Sequence, residues 1–482
     1  MAILILVSVL LFIIIQTTIT ALRPGLRSIP GPFIARFSCL YRPWKISKGN
    51  APDFYLALHE KYGSIVRTGP NTVDISDPKA IPIIYRISSN FLKSPFYDTF
   101  HPSYKDKKMP NMFSVRDPAH HQALRRPVAQ KFSMSSIKPF EPCTDECTSI
   151  FIAAMEELEG QAVDLGVWLQ WYALDVIGAI TFQRRFGFME ERTDKWGMIR
   201  AIEKVLAYGG IIGQIPALHN WLLGNRWVAR IMAVQPFFEI ADPLRTIVEF
   251  TQQCIDEYDR EPEEHRGRPD FLAWLREGDG KGNRGDSTAI SLRAVIYFLV
   301  KNKPVYNKLQ KEIDEADHKG ELSEYITYRE SLNLPYLQVV MKEGMRCHPG
   351  VSFPLERVVP NGGATVCGTR FEAGTIIGIN PAVIHHDKMI FGHDAATFRP
   401  ERWTESDDER IKLMDRHLMT FGLGARTCIG KNISIMEIGK LIPQILRRFE
   451  IEWASDQPEW RVRTFFFAKQ YGLICRLRLR ET

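Results

Sequence analysis

Phe421-Gly422-Leu423-Gly424-Ala425-Arg426-Thr427-Cys428-Ile429-Gly430 decides how this chain is read. One cysteine stands in a loop punctuated by three glycines, two residues after an arginine, and the stretch Lys431 to Phe449 reads as a helix beginning at once. Gly422 and Gly424 lack Cβ and accept positive φ, which predicts a tight loop able to approach a flat macrocycle closely. Gly430 is expected to allow close packing where the helix starts. The free N–H groups of that helix start stabilise a negative sulfur. A thiolate so held can be the axial ligand of a haem iron, and its donated electron density favours O–O cleavage. Arg426 adds a fixed charge able to fork onto a carboxylate. A buried structural cysteine in a glycine-rich loop is the alternative. The joint pattern of Phe421, Gly424, Arg426, Cys428 and Gly430 argues against it.

Two further motifs lie upstream. Glu343-Gly344-Met345-Arg346 places an acid and a base at i,i+3 on one helix face. Phe398-Arg399-Pro400-Glu401-Arg402-Trp403 follows it. Together with the decapeptide these resemble, in order, the Glu-x-x-Arg helix, the Pro-Glu-Arg-Phe segment and the haem loop of the cytochrome P450 monooxygenases, with Trp403 in place of the aromatic. The resemblance implies a mainly α fold with small β-sheets (α+β), the P450-like haem-thiolate fold. It also implies that Cys428 ligates the iron of haem b and that Glu343, Arg346 and Arg402 form a buried structural triad. Desolvated charges are tolerable only when paired, and an Arg–Glu–Arg cluster can satisfy itself.

The resemblance extends over most of the chain. Asp117 to Arg126 resembles the family helix carrying Trp-x-x-x-Arg, with His121 at the Trp position and Arg125 at the Arg position, i,i+4 on one face. Both are expected on a haem propionate, with Arg426, and Arg357 in a proline-bounded stretch is a further candidate. Phe421 is expected against the cofactor. Three aromatic regions match segments that face the family's distal pocket: Phe96 to Phe113, Val351 to Pro354, and Phe465 to Phe467. They predict a hydrophobic site for a lipophilic small molecule.

The distal side departs from the family. Asp286, Ser287 and Thr288 match the acid and hydroxyl positions that deliver protons to bound dioxygen, and Ile290 to Val300 reads as the helix that follows. Upstream stands Gly278-Asp279-Gly280-Lys281-Gly282-Asn283-Arg284-Gly285, which cannot be a helix interior without a cost of about 1 kcal/mol per glycine. Relative to the family, about twenty residues are missing between Leu275 and Asp286, judged by helix rise. The expectation is a shortened distal helix, with Asp286 or Ser287 either in the proton relay or simply its N-cap. A natural deletion, a mis-spliced gene and a repurposed pocket read alike here.

The 482 residues contain 45% hydrophobic and 24% charged residues, an ordinary globular balance. A net charge of +6 without a long basic run implies no nucleic-acid partner. Eight cysteines without paired spacing do not form a disulfide framework. Ala2 to Leu22 is apolar and about long enough to cross a bilayer at about 20 residues. Arg23, Arg27 and Arg36 follow it, which by the positive-inside rule puts the rest in the cytosol. A cleaved signal peptide is the rival, but the basic leading region is missing. The expected organisation is a transmembrane anchor over 1–22, a proline-containing linker over 23–37 around Pro30-Gly31-Pro32, and a haem-thiolate domain over 38–482.

The resemblance then implies a single-pass protein of the endoplasmic reticulum membrane with a cytosolic catalytic domain. An NADPH-cytochrome reductase would supply electrons to the face near Arg125, Arg126, Lys131 and Lys440. The flavour is that of fungal members acting on secondary metabolites, the pisatin demethylase type included. Two rivals stay open: a haem-thiolate enzyme that rearranges or dehydrates its substrate without net oxygenation, and an inactive haem-binding product of a truncated gene.

Overall fold

The computed structural model describes residues 2–104, 107–194, 197–225, 227–228, 243–260, 271–272 and 288–481. Helices dominate. The N-terminal helix Ala2–Ala21 is followed by short helices and a hairpin, Ile65–Gly69 with Thr72–Ile75, turned at Pro70-Asn71, residues whose backbone preferences suit a turn. The hairpin belongs to a five-stranded sheet in the order Ile65–Gly69, Thr72–Ile75, Ile376–Gly378, Arg357–Val358, Leu92–Lys93. Its last pairing sets Lys93 opposite Arg357. A second hairpin follows later in the chain. Ala364–Val366 and Thr369–Phe371 turn at Cys367-Gly368, both at positive φ, while Glu372-Ala373-Gly374 leads on into the large sheet.

The main core gathers around Leu165–Phe182, Thr288–Lys301, Pro335–Cys347 and Lys431–Arg448. Leu165–Phe182 is apolar on nearly every face because helices surround it. It is also long and apolar enough to cross a membrane, but 83% of it is buried inside the protein, which marks a core helix. Thr288–Lys301 bears out the predicted helix, and Lys303–His318 follows it with Pro304 in its first turn. Asp286, Ser287 and the glycine-rich stretch before them lie outside the described residues.

The stretch 23–37, expected as a linker, is packed. Leu26 and Ile29 are buried in the core of the large sheet. Pro30 accepts the backbone N–H of Arg67 at 2.7 Å. A Cβ on Gly31 would collide with the Arg67 carbonyl, which is why glycine separates the two prolines.

Candidate active site

The loop around Cys428 is shaped by its own backbone. Gly422 and Gly424 have φ of 67° and 65°. The Cys428 N–H donates to the Phe421 carbonyl at 2.8 Å, and Thr427 N and Oγ1 both donate to the Gly424 carbonyl, at 3.1 and 2.8 Å. A Cβ on Gly424 would strike the Tyr85 carbonyl, so this glycine lets the loop pack against the core beside the large sheet. Gly430 has no atom within 4 Å of where a Cβ would sit, so the expected tight packing there is not found. Phe421 is half-buried against the main core, and the Lys431 ammonium lies 5.7 Å from its ring centroid.

Cys428 is exposed, yet surrounding protein pushes its thiol pKa up by desolvation. That combination describes a side chain on the floor of a recess. The N–H groups of Gly430 and Lys431 point at the sulfur and, with the charges of Arg125 and Lys431, oppose the upward shift. This is the helix start predicted to favour a thiolate.

Basic side chains converge beside the recess. His121 lies on the helix Pro118–Arg125, which Asp117 caps through the His120 N–H at 2.6 Å. Arg125 donates to the Thr427 carbonyl at 2.8 Å, and Arg426 forks onto the carbonyls of Val115 and Arg116 at 2.9 and 3.1 Å. Arg357 is buried and donates to the Glu356 carbonyl at 2.8 Å. Lys93, which the sequence did not single out, is buried beside Arg357, its ammonium 4.0 Å from the Tyr97 ring centroid.

These groups feel one another. Burial and the charges of Arg426, Arg125 and Lys93 push His121 down to about 3, so it is neutral. Burial and Arg357 lower Arg426 to about 10. Lys93 is held well below the usual lysine range by burial, Arg357 and Arg426. The neighbouring carboxylates are taken elsewhere: Glu356 pairs with Arg42 at 2.5 Å and Asp98 with Arg116 at 3.0 Å. Among the described residues no carboxylate reaches ion-pair distance of Lys93, Arg125, Arg357 or Arg426. Buried charges call for a counter-ion. A group with two carboxylates beside an open thiolate position meets that need, and haem with its propionates is such a group.

The ion triad forms in full. Glu343, Arg346 and Arg402 are 0%, 0% and 1% exposed. Glu343 accepts from Arg346 Nε and Nη2 at 2.8 Å, Arg402 Nε at 2.8 Å, the Arg399 N–H at 3.0 Å and Trp403 Nε1 at 2.9 Å. Those donors lower its pKa against the upward push of burial, the larger single effect. Trp403 therefore adds an N–H that a Phe at this position could not supply.

His385 ties the triad to the haem loop, and nothing in the sequence pointed to it. It is fully buried. Its Nε2 accepts the Met419 N–H at 2.8 Å, and its Nδ1 lies 3.0 Å from the Arg346 carbonyl, an orphan acceptor at the end of its helix. The Met419 N–H can only donate and the Arg346 carbonyl only accept, so the ring is neutral with its proton on Nδ1. Burial, then Arg346, pushes its pKa down to about 3.

On the other side, Phe96, Phe100, Phe113, Phe353 and Phe466 form one cluster with ring centroids 5.4 to 5.8 Å apart. The three aromatic regions singled out in the sequence thus come together. The helix Met198–Ile212 lies on them, and a Cβ on Gly209 or Gly213 would collide with Phe100 or Phe96. Thr288 is buried with its hydroxyl 2.8 Å from Ser434 Oγ on the helix after Cys428, a helix-to-helix contact. Lys440 cannot meet a reductase: it is 2% exposed and paired with Glu141 and Asp145 at 2.8 Å.

Comparison with known proteins agrees with this geometry. The family described as "Cytochrome P450" matches residues 30–474. The chain is 35% identical over 483 residues to the cytochrome P450 monooxygenase cicH of Emericella nidulans, covering 95% of each. It is 36% identical over 470 residues to a pisatin demethylase of Fusarium vanettenii, covering 92% of this chain and 87% of that one. It is also 36% identical to the cytochrome P450 monooxygenase mpaDE of Penicillium roqueforti, of which it spans 55%. From a cysteine loop, a triad and a ring of unneutralised cations to a match along nearly the whole chain, every line ends at one place: the chain belongs to the cytochrome P450 family and is a monooxygenase-class oxidoreductase.

Proposed function

We propose that this protein places one oxygen atom of dioxygen into a lipophilic small molecule of fungal secondary metabolism, using electrons from NADPH passed on by a reductase. The observation that carries the substrate class is the aromatic cluster of Phe96, Phe100, Phe113, Phe353 and Phe466. Such a wall rewards burial of apolar surface at about 25 cal/mol per Å² and offers little to a charged ligand. Relatives named as a pisatin demethylase and as P450 monooxygenases support the reading.

When bound, haem supplies the chemistry that reduces dioxygen and transfers oxygen. The chain's own residues do the rest. Cys428 offers sulfur at a helix start whose N–H groups favour the thiolate. Arg125, Arg357, Arg426 and Lys93 offer the positive field for two propionates, and neutral His121 offers one N–H donor. The triad and His385 hold the loop in register. Protons reach the distal side through Asp286 and Ser287; Thr288, bonded to Ser434, props the helix they precede.

The helix Ala2–Ala21 is about 30 Å long at 1.5 Å per residue, the thickness of a hydrocarbon core. Leu11, Ile14, Ile15 and Ile19 are exposed along it. We take it as a single-pass anchor in the endoplasmic reticulum membrane, with the catalytic domain in the cytosol.

The test is spectroscopic and kinetic. The reduced, carbon-monoxide-treated protein is expected to show the red-shifted thiolate Soret band, and Cys428→Ala to lose it. Persistence of that band in the variant would sink thiolate ligation by Cys428. Turnover that consumes neither NADPH nor dioxygen would replace oxygenation with rearrangement.

A further inference from the structure

Arg67 is 0% exposed, yet no acid neutralises it among the described residues. It sits on the first strand of the large sheet, and its guanidinium is spent on carbonyls of the N-terminal segment and of its own hairpin turn. Nη2 donates to Thr20 at 2.8 Å and Pro70 at 2.6 Å. Nη1 donates to Ala21 at 2.8 Å and Leu26 at 3.3 Å, and Nε to Gly69 at 3.3 Å. Thr20 and Ala21 are the last residues of the helix Ala2–Ala21, whose closing carbonyls have no helical partners of their own. A cation at the negative end of a helix is also favourable for the helix dipole. Guanidinium suits this position because one planar fork reaches several carbonyls at once.

The contacts around it point the same way. Arg23 bonds Asn71 and the Ala373 carbonyl and faces Glu372 at 3.5 Å. Arg36 donates to the carbonyls of Arg27 and Ile29 at 3.2 Å. Leu26 and Ile29 are buried, and Gly31 lets the chain lie against the Arg67 backbone. The segment between helix and domain is therefore folded on itself through Arg36 and held to the sheet side through Arg23, Leu26, Ile29 and Pro30.

We propose that Arg67 is an orientation clamp. It ends the anchor helix and fastens it to the catalytic domain, so the fold sets the angle at which the domain, and the mouth of its active site, stands against the bilayer. This rests on the reading of Ala2–Ala21 as a membrane anchor, and Arg67 is a positioning residue that touches neither haem nor substrate.

The test uses the full-length holoprotein in phospholipid nanodiscs and oriented lipid films. Two readouts apply: linear dichroism of the haem band, which reports tilt, and the rate of tryptic cleavage after Arg23 and Arg27. The wild type is expected to be dichroic and resistant. Arg67→Met is expected to lose at least about half the dichroism and be cut about a hundredfold faster, as loss of the two charge-assisted hydrogen bonds to the helix-end carbonyls of Thr20 and Ala21 implies. Arg67→Lys, with one point donor, is expected to fall between. The thiolate–carbon monoxide band must stay unchanged, which separates release of the clamp from damage to the fold. Should Arg67→Met fail to fold, Gly31→Ala is expected to give the same release, because its methyl pushes the segment off the sheet. Folded variants that keep full dichroism and resistance would overturn the clamp. Flotation of the wild type with liposomes tests the anchor separately, since a chain that does not float refutes the anchor while cleavage rates in solution still judge the clamp.

Discussion

Replacing His385 with Phe removes two hydrogen bonds and little volume. The ring pocket already accepts an aromatic neighbour, with the Phe391 centroid 6.0 Å away. What is lost is the acceptor for the Met419 N–H and the donor to the Arg346 carbonyl, both in buried surroundings. Each stranded group costs about 1–3 kcal/mol, so the variant should lose about 2–6 kcal/mol of stability. His385→Asn can still reach the Arg346 carbonyl but not Met419, so about half that loss is expected. The histidine also leaves a pH signature. Its folded-state pKa, near 3, lies below the ordinary 6.5, so the unfolded chain binds a proton that the folded one does not. This weakens the wild type as pH falls below about 6.5, by up to about 1.4 kcal/mol per pH unit. The gap between wild type and His385→Phe should therefore shrink by about 2 kcal/mol between pH 7.5 and pH 5. Urea unfolding followed by circular dichroism gives the stabilities, and the thiolate–carbon monoxide band reports whether the loop stays in register. A variant within about 1 kcal/mol of wild type, or a gap that does not change with pH, would refute the bracing role.

Three other outcomes are expected. Glu343→Gln strands two buried arginines and should cost about 3–5 kcal/mol in urea unfolding, with early loss of the thiolate band. Gly424→Ala meets the Tyr85 carbonyl and a positive φ together, so holoprotein yield should fall steeply, by about 3 kcal/mol or more of loop strain; Gly430→Ala, with open space, should be tolerated better in the same purification. Burial, the largest single effect, pushes the Asp394 carboxyl up, but Arg399 and Arg402 together outweigh it and hold it near 2, so it contributes stability above its ordinary 3.8 that is lost as pH falls toward 2. Acid titration of Asp394→Asn should show that loss removed.

The proximal half of this protein could be read from residue order because its chemistry is local. Cys428, the glycines beside it and the helix that follows are contiguous, and Glu343 and Arg346 share a helix turn. What escaped was brought together by topology. Lys93 and Arg357 are 264 positions apart and become neighbours only because their strands pair. His385 carries no periodic signal and gains its role from facing two helix and loop ends at once. Gly424 reads as a glycine of a tight loop, and the fold gives it a second reason to lack a side chain, the Tyr85 carbonyl against it. Arg426, expected on a propionate, also fastens the loop to the carbonyls of Val115 and Arg116, a contact that residue order does not reveal. Lys440 looked like a surface charge because charges usually are; a pair of acids lets it sit inside. The residues after the first helix read as a linker, but the donor to the carbonyls of Ala21 and Leu26 is Arg67, on a strand 46 and 41 positions further along the chain.

The ring of Lys93, Arg125, Arg357 and Arg426 has a bearing on the life of the polypeptide before it acquires its cofactor. Four cations gathered at one recess repel each other, and a chain lacking the two propionates must carry that repulsion as a deficit in folding free energy. A ligand that binds only the native form draws the population toward it by mass action. Newly made protein then competes between capture of haem and removal by quality control, and a deficit of 1–2 kcal/mol is about enough to change abundance several-fold. The expected outcome is that a host fed a haem precursor accumulates more of this protein at constant transcript level, measured by immunoblot against transcript.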